Sequence, residues 1–245
     1  MLDATPPAPW QWEAGAGQRT LIERDAGGQR LLKESGPLAR LRITARPSWA
    51  PAGRIEFNAA LARAQLDYEG RTQAGLPLAT TSRHIEIEGG AAWKPSHAYA
   101  WGEPAITFDG LWFRRSIAAS ADASSLQETS TLWMPGIAWT SPAWNVDGAK
   151  FALQARLRTS IHHHLAVDYA GLFDPSSLRG GRRTDLSLAA TALAANGWSI
   201  SLEWHRARQA ESDVSAIFSG GVPAGTVRQP RISIDDIGLK IAKDF

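Results

Sequence analysis

Apolar and polar residues alternate with a period of two along nearly the whole chain, the pattern of strands with one apolar face. The clearest run is 151–169. Phe151, Leu153, Ala155, Leu157, Thr159, Ile161, His163, Leu165, Val167 and Tyr169 fall on one face; Gln154, Arg156, Arg158, Ser160, His162, His164 and Asp168 fall on the other. Strands of globular sheets usually have about 3–10 residues, so a run of this length predicts a wall that continues beyond a membrane. The same alternation sets Trp198, Ile200, Leu202 and Trp204 against Ser199, Ser201, Glu203 and His205, and Ile85 and Ile87 against His84, Glu86 and Glu88. It sets Leu41 and Ile43 against Arg40, Arg42 and Arg46, Leu186 and Leu188 against Ser187, and Ile106, Phe108 and Trp112 against Glu103 and Asp109. Segments 10–24, 53–69, 126–143 and 230–245 complete ten strands, with eight and twelve left open by the weaker ones.

Three breaks in the pattern predict bulges. The apolar parity slips between Leu61 and Leu66, it changes again at Asp235–Asp236, and Pro104 and Pro135 fall inside strands although proline cannot donate to a ladder. A paired acid is the other reading of Asp235 and Asp236.

The even-numbered connections are short: 49–53, 94–97, 144–149 and 194–197, with Pro-Ala-Gly, Val-Asp-Gly and Ala-Asn-Gly turn chemistry. The two longest, 170–183 and 209–229, are odd-numbered. This is the layout of an antiparallel up-and-down transmembrane β-barrel with short periplasmic turns and longer extracellular loops. It predicts a flexible Pro-rich tail over 1–9 and one barrel over 10–245. No run of 18 apolar residues occurs, which excludes a membrane-crossing helix but not a barrel. A soluble ligand-binding barrel would leave the outer apolar faces wet, as an exposed patch far larger than a monomer tolerates.

Composition changes this picture in three ways. Of 11 Trp, eight (Trp10, Trp12, Trp49, Trp93, Trp101, Trp139, Trp144 and Trp198) fall near the predicted periplasmic ends, as an aromatic girdle does. Trp112 and Trp133 fall toward the opposite rim. The absence of Cys excludes a disulfide framework, a Cys-ligated zinc and a thiol nucleophile. A formal charge of +2 over 245 residues, evenly spread, does not favour nucleic acid as a partner.

The chain ends Ile237-Gly-Leu-Lys-Ile-Ala-Lys-Asp-Phe245. This resembles the C-terminal β-signal of Gram-negative outer-membrane proteins, a closing strand of alternating apolar residues with a terminal Phe. Ile237, Leu239, Ile241 and Phe245 match it; Lys243 stands where an apolar or aromatic residue is usual, and a lysine near an interface can snorkel. The resemblance is to a class that includes ten-stranded surface proteases and adhesins, and it covers 10–245. It implies a monomer in the outer membrane, surrounded by lipid and lipopolysaccharide. It also implies a barrel assembled by the barrel-assembly machinery after export on a signal peptide that this chain does not carry. It carries over no catalytic residue.

On the lumen face the alternation places Arg40, Arg42, Arg46, Arg54, Glu56, Glu86, Glu88, Glu103, Asp109, Arg156, Arg158 and Glu203, with Glu13, Arg19, Arg115 and Lys240. A ten-stranded barrel is little wider than an eight-stranded one, whose side chains nearly fill it. Buried charges need partners, so a salt-bridged plug is expected; a narrow conduit favouring anions is the competing reading. His84, His162, His164 and His205 also read as inward and in the upper half. With Asp168 beside them, His162, His164 and His205 are candidates for general-base chemistry or metal binding.

Two function classes follow. One is a small barrel with a charged, plugged lumen in a structural, surface-interaction or narrow-channel role. The other is an outer-membrane hydrolase of lipid or peptide using those histidines near the extracellular mouth. No cofactor and no metal site are assigned. The segment Gly180-Gly-Arg-Arg183 reads as a basic extracellular loop within reach of lipopolysaccharide phosphates.

Overall fold

The computed structural model describes residues 9–47, 53–71, 77–96, 99–121, 123–147 and 149–245. Trp49, most of the turn containing it and most of the proline-rich tail lie outside the described residues. In chain order the strands are β1 Trp10–Arg24, β2 Arg30–Ala45, β3 Gly53–Arg71, β4 Pro77–Pro95, β5 Glu103–Ile117, β6 Leu126–Thr140, β7 Trp144–Val146, β8 Ala149–Thr159, β9 His162–Asp168, β10 Ser176–Arg179, β11 Arg183–Leu193, β12 Trp198–Gln209, β13 Ser215–Ser219, β14 Val222–Val227 and β15 Arg231–Asp244. Ten walls, with β8 and β9 forming one of them, pair antiparallel with their neighbours in sequence. The ring closes where β1 pairs with β15, from Gln11↔Asp244 to Arg24↔Arg231.

Outward side chains at the turn end and middle of the walls are apolar. Leu41, Phe57, Ile87, Ile106, Ile137, Leu157, Ile200 and Leu239 are all exposed there. On β15 the band runs from Ile237 to Phe245, nine residues. At about 3.4 Å per residue and a tilt of about 40° that is roughly 20–25 Å, close to the apolar height of about 25 Å in membrane barrels.

Above this band the two faces exchange character. The outward positions become Lys33, Arg63, Arg83, Arg114, Arg206 and Arg208. The inward ones become Leu21, Leu32, Tyr68, Ile117, Ala207, Ile232 and Ile234, which pack into one buried cluster. The upper end is therefore built like a water-soluble barrel, with its apolar core inside.

This exchange corrects two expected bulges. The β3–β4 ladder runs in unbroken register from Gly53↔Pro95 to Arg71↔Pro77, so Leu61 faces out to the apolar band and Leu66 faces in, buried against Leu38, Ala62 and Ala64. The β1–β15 and β12–β15 ladders are equally continuous through Asp235 and Asp236. What changes along β3 and β15 is the medium each face meets, not the backbone. The reading of Asp235 and Asp236 as a paired acid is also corrected: Asp236 points in, while Asp235 points out to Arg206 at 2.8 Å.

A real bulge sits where unbroken alternation is expected. β6 pairs with β8 as Gly136↔Arg158 and with β9 as Trp133↔His162, so one strand advances three residues while the other advances four. The interruption lies opposite Pro135, whose missing N–H leaves a rung of the ladder unmade on that side. The extra residue flips every side chain beyond it. Pro104 causes no bulge, because it lies beyond the last rung of the β4–β5 ladder, Trp93↔Ile106.

Seven of the eight girdle tryptophans are described, and all belong to the turn end. Trp12 and Trp198 meet edge to face at 5.7 Å, and the Trp139 Nε1–H donates to the Trp101 carbonyl at 3.0 Å. Lys243 lies over the rings of Trp198 and Phe245, at 5.7 and 6.0 Å, which accounts for a cation at a position usually apolar. The two long loops at the other end pack on each other. The carboxylate of Asp174 accepts the backbone N–H groups of Gly220 and Gly221 at the tip of the β13–β14 hairpin.

Candidate functional site

Alternation along the lower walls directs the charged residues inward as read from the sequence. Arg40, Arg42, Arg46, Arg54, Glu56, Glu86, Glu88, Glu103, Asp109, Arg156, Arg158 and Glu203 all line the lumen, and each has an opposite charge within 4 Å. Arg19 makes two 2.8 Å bonds to the two carboxylate oxygens of Asp236 and a 2.6 Å contact with Glu86. Arg158 reaches Glu88 at 2.6 Å and Asp185 at 3.2 Å. Arg156 bonds Asp109 and Arg54 bonds Glu103. Glu56 lies between Arg46 at 3.1 Å and Lys94 at 2.8 Å, and Glu203 between Lys240 at 3.2 Å and Arg40 at 3.5 Å. Cations and carboxylates interleave along this level, with Glu88 alone meeting Arg42, Arg156 and Arg158, so the lumen carries a charge lattice and not a field of one sign.

Glycines make room for it. A Cβ on Gly90 would strike the Asp109 carboxylate, and one on Gly17 would strike the Ile237 carbonyl of the neighbouring strand. Within the lattice a cavity of about 220 Å³ opens toward the turn end, walled by Glu13, Arg42, Asn58, Thr107, Arg156 and Lys240 among others. Above it the cross-section is filled. Arg19, Leu132, Met134 and Asp109 are 0% exposed, and Leu66 and Arg115 are 1% exposed.

The proposed histidine cluster does not form. Because of the bulge before β9, His162, His164 and Asp168 face outward and are exposed, and Asp168 accepts the Ala170 N–H at 2.9 Å. His205 does face in, between Asp185 and Asp236 at 3.4 Å each. His84 faces in at a higher level, with its Nε2 2.7 Å from Glu34. His163, read as outward from the sequence, is buried instead, bonded to Ser130 Oγ at 3.0 Å and to the Gly181 carbonyl at 2.9 Å. Its ring occupies the space where a Cβ on Gly180 would lie. The basic-loop reading is corrected accordingly: Arg182 is exposed, but Arg183 turns inward to Asp185 at 2.8 Å. Among the described residues no three histidines or carboxylates are placed to hold a metal ion.

A second charged cluster, higher in the barrel, was not assembled from the sequence. Arg115 donates to Glu34 from both Nε and Nη2, at 2.9 and 2.6 Å, and from Nη1 to Glu128 at 2.9 Å and to Glu23. Parity counted back along β1, β2 and β6 would have placed these three glutamates inside. They escape notice because apolar residues share their face.

Comparison with solved structures places the chain among outer-membrane β-barrels in fold. It superposes on the outer-membrane protease OmpT of Escherichia coli with a TM-score of 0.56, at 9% identity, over 99% of each chain. It superposes on the translocator domain of the autotransporter NalP of Neisseria meningitidis with a TM-score of 0.51, at 13% identity, over 100% of this chain and 91% of that one. At such identities the likeness is one of fold. No protein-family model matches the sequence, and no curated protein is similar to it in sequence. The fold class is that of a ten-stranded antiparallel transmembrane barrel.

Proposed function

We propose that this protein is a closed outer-membrane barrel that does not conduct and that works at its extracellular end as a surface-recognition module. The observation that carries the reading is the filled cross-section, in which Arg19, Leu66, Asp109, Arg115, Leu132 and Met134 are almost wholly removed from solvent. A water-filled conduit would leave its lining polar atoms wet. The wall's extension above the apolar band, with its own buried core and an ordered hairpin, supports a working surface on the outside. The outward apolar band, the terminal Phe245 strand and the fold support the outer membrane as its location.

In planar lipid bilayers the purified barrel is expected to give no discrete ion steps above the lipid leak. Regular steps that scale with salt concentration would reject closure. The hydrolase reading loses its support, because two of its three histidines lie outside the barrel.

Outer-leaflet lipopolysaccharide is the proposed lipid partner. Arg63 and Arg114 flank Ile85 in one row of the β3–β4–β5 sheet, with Arg83 one step above. All three point outward above the apolar band and have no ion-pair partner among the described residues. Arg114 lies 4.9 Å over the Trp112 ring, which holds its guanidinium at headgroup level. Such charges contribute on the order of 1 kcal/mol each near an anionic surface. Changing all three to Gln should therefore cut the lipopolysaccharide retained on the purified barrel at least about tenfold. Phosphate analysis measures this, and unchanged retention by a folded triple variant would reject the site.

A further inference from the structure

A second cavity, of about 200 Å³, lies at the loop end above the filled section. Its floor is the Arg115 cluster and its walls include Leu32, Ile117, Leu165 and Val167. The linker Val227–Pro230 joins the β13–β14 hairpin to β15 along its upper edge. Gln229 fixes that linker, since its backbone N–H donates to Ser212 Oγ at 2.8 Å.

Three features of this cavity call for a ligand. Glu23, Glu34 and Glu128 surround the single guanidinium of Arg115, whereas in the lattice below Glu56, Glu88 and Glu203 each meet two or more cations. Ionised carboxylates withdrawn from water require compensating charge, and Glu34 is already engaged by Arg115 and His84. Glu23 and Glu128 each direct one oxygen to Arg115 and line the cavity. Beside them Tyr68 is 7% exposed, and its hydroxyl has no hydrogen-bond partner among the described residues. The third feature is size and wall chemistry. The volume is below the roughly 300–1,000 Å³ of sites for drug-sized ligands, and much of the wall is hydrocarbon, with Arg228 at the upper edge held by Glu211 at 2.9 Å.

We propose that this cavity binds a small organic cation with an apolar body, an alkyl- or arylammonium. The ammonium lies between Glu23 and Glu128 and donates one N–H to the Tyr68 hydroxyl. The hydrocarbon part packs on Leu32, Leu165 and Val167. The inference deepens the surface-recognition reading by naming its ligand class. It does not depend on closure of the lumen below: a barrel that conducts and still binds the amine loses the first proposal and keeps this one.

Isothermal titration of the full-length barrel in lipid nanodiscs, with empty nanodiscs as the blank, tests it with phenethylamine as probe and 3-phenylpropionate as its anionic counterpart. One saturable site for the amine and none for the acid is expected. Glu23→Gln and Glu128→Gln should each weaken the amine about tenfold, and Tyr68→Phe about as much, as for a hydrogen bond to a charged group. Arg206→Gln, which alters only outward contacts with Asp235 and Trp204, should leave affinity unchanged. If the glutamate variants fail to fold, as judged by loss of the mobility difference between unheated and boiled samples, Tyr68→Phe decides. Absence of saturable binding to the folded wild type overturns the proposal. So does equal binding of the acid, or full affinity in every folded variant of Glu23, Glu128 and Tyr68.

Discussion

Arg19→Leu is expected to lower the unfolding free energy of the barrel by about 3–5 kcal/mol, the usual loss when one partner of a buried ion pair is removed. Arg19 has no exposed surface and holds both oxygens of Asp236 and one of Glu86. Leucine fills part of the volume but leaves two carboxylates facing each other, with His205 and Arg40 as the remaining partners of Asp236. Adding Asp236→Leu should recover part of the loss, since residues in one network do not act additively. Urea unfolding from lipid vesicles, followed by Trp fluorescence, gives the numbers. A loss below about 1 kcal/mol, the usual value of a solvated surface pair, would mean that water already reaches these carboxylates and that the lumen is open.

Inserting one alanine between Ile161 and His162 should do comparable damage at the other end while sparing the lower barrel. The bulge holds one extra residue, so a second one shifts β9 by one position against β6. His162 and His164 would then turn inward, and His163, Leu165 and Val167 outward. Leu165 is fully buried and Val167 nearly so; at about 1.5–3 kcal/mol for each such side chain, the upper core loses several kcal/mol. His163 also loses its bonds to Ser130 and Gly181. The expected result is protease cleavage in the loops at 170–183 and 209–229, with the heat-dependent gel shift of the membrane-embedded part retained. Unchanged protease resistance would show that the bulge does not set the face of β9.

The two variants probe regions that differ in how well the sequence reveals them. Below Arg19, within the apolar band, lipid makes the outward side chains apolar, so strict alternation identifies the inward charges. The twelve lumen residues from Arg40 to Glu203 follow from that rule alone. So do the closing strand and the girdle, where Trp10, Trp12, Trp93 and Trp198 mark the ends of their strands. Arg183 and Asp185 obey the same rule and were missed only because they precede the apolar run of β11.

The Arg115 cluster and the His163 site obey another rule. Above the apolar band water wets the outer face, so the apolar residue is the inward one. Leu66, Ile232 and Ile234 then look like slips of register although their ladders are continuous. The slip before β9 hides inside the most regular alternation in the chain. Its cause is Pro135 on the neighbouring strand.

The sequence by itself determined most of the strands, their short and long connections and the inward set within the membrane, because a period of two is local and lipid fixes its sign. The tertiary structure decided which arginine meets which carboxylate, because partners such as Arg19 and Asp236 come from opposite ends of the chain. It also decided where the faces exchange, because that depends on how far the closed ring stands above the apolar band. The placement of His162, His163 and His164 rested on a single unmade rung between adjacent walls, a contact that no strand encodes alone.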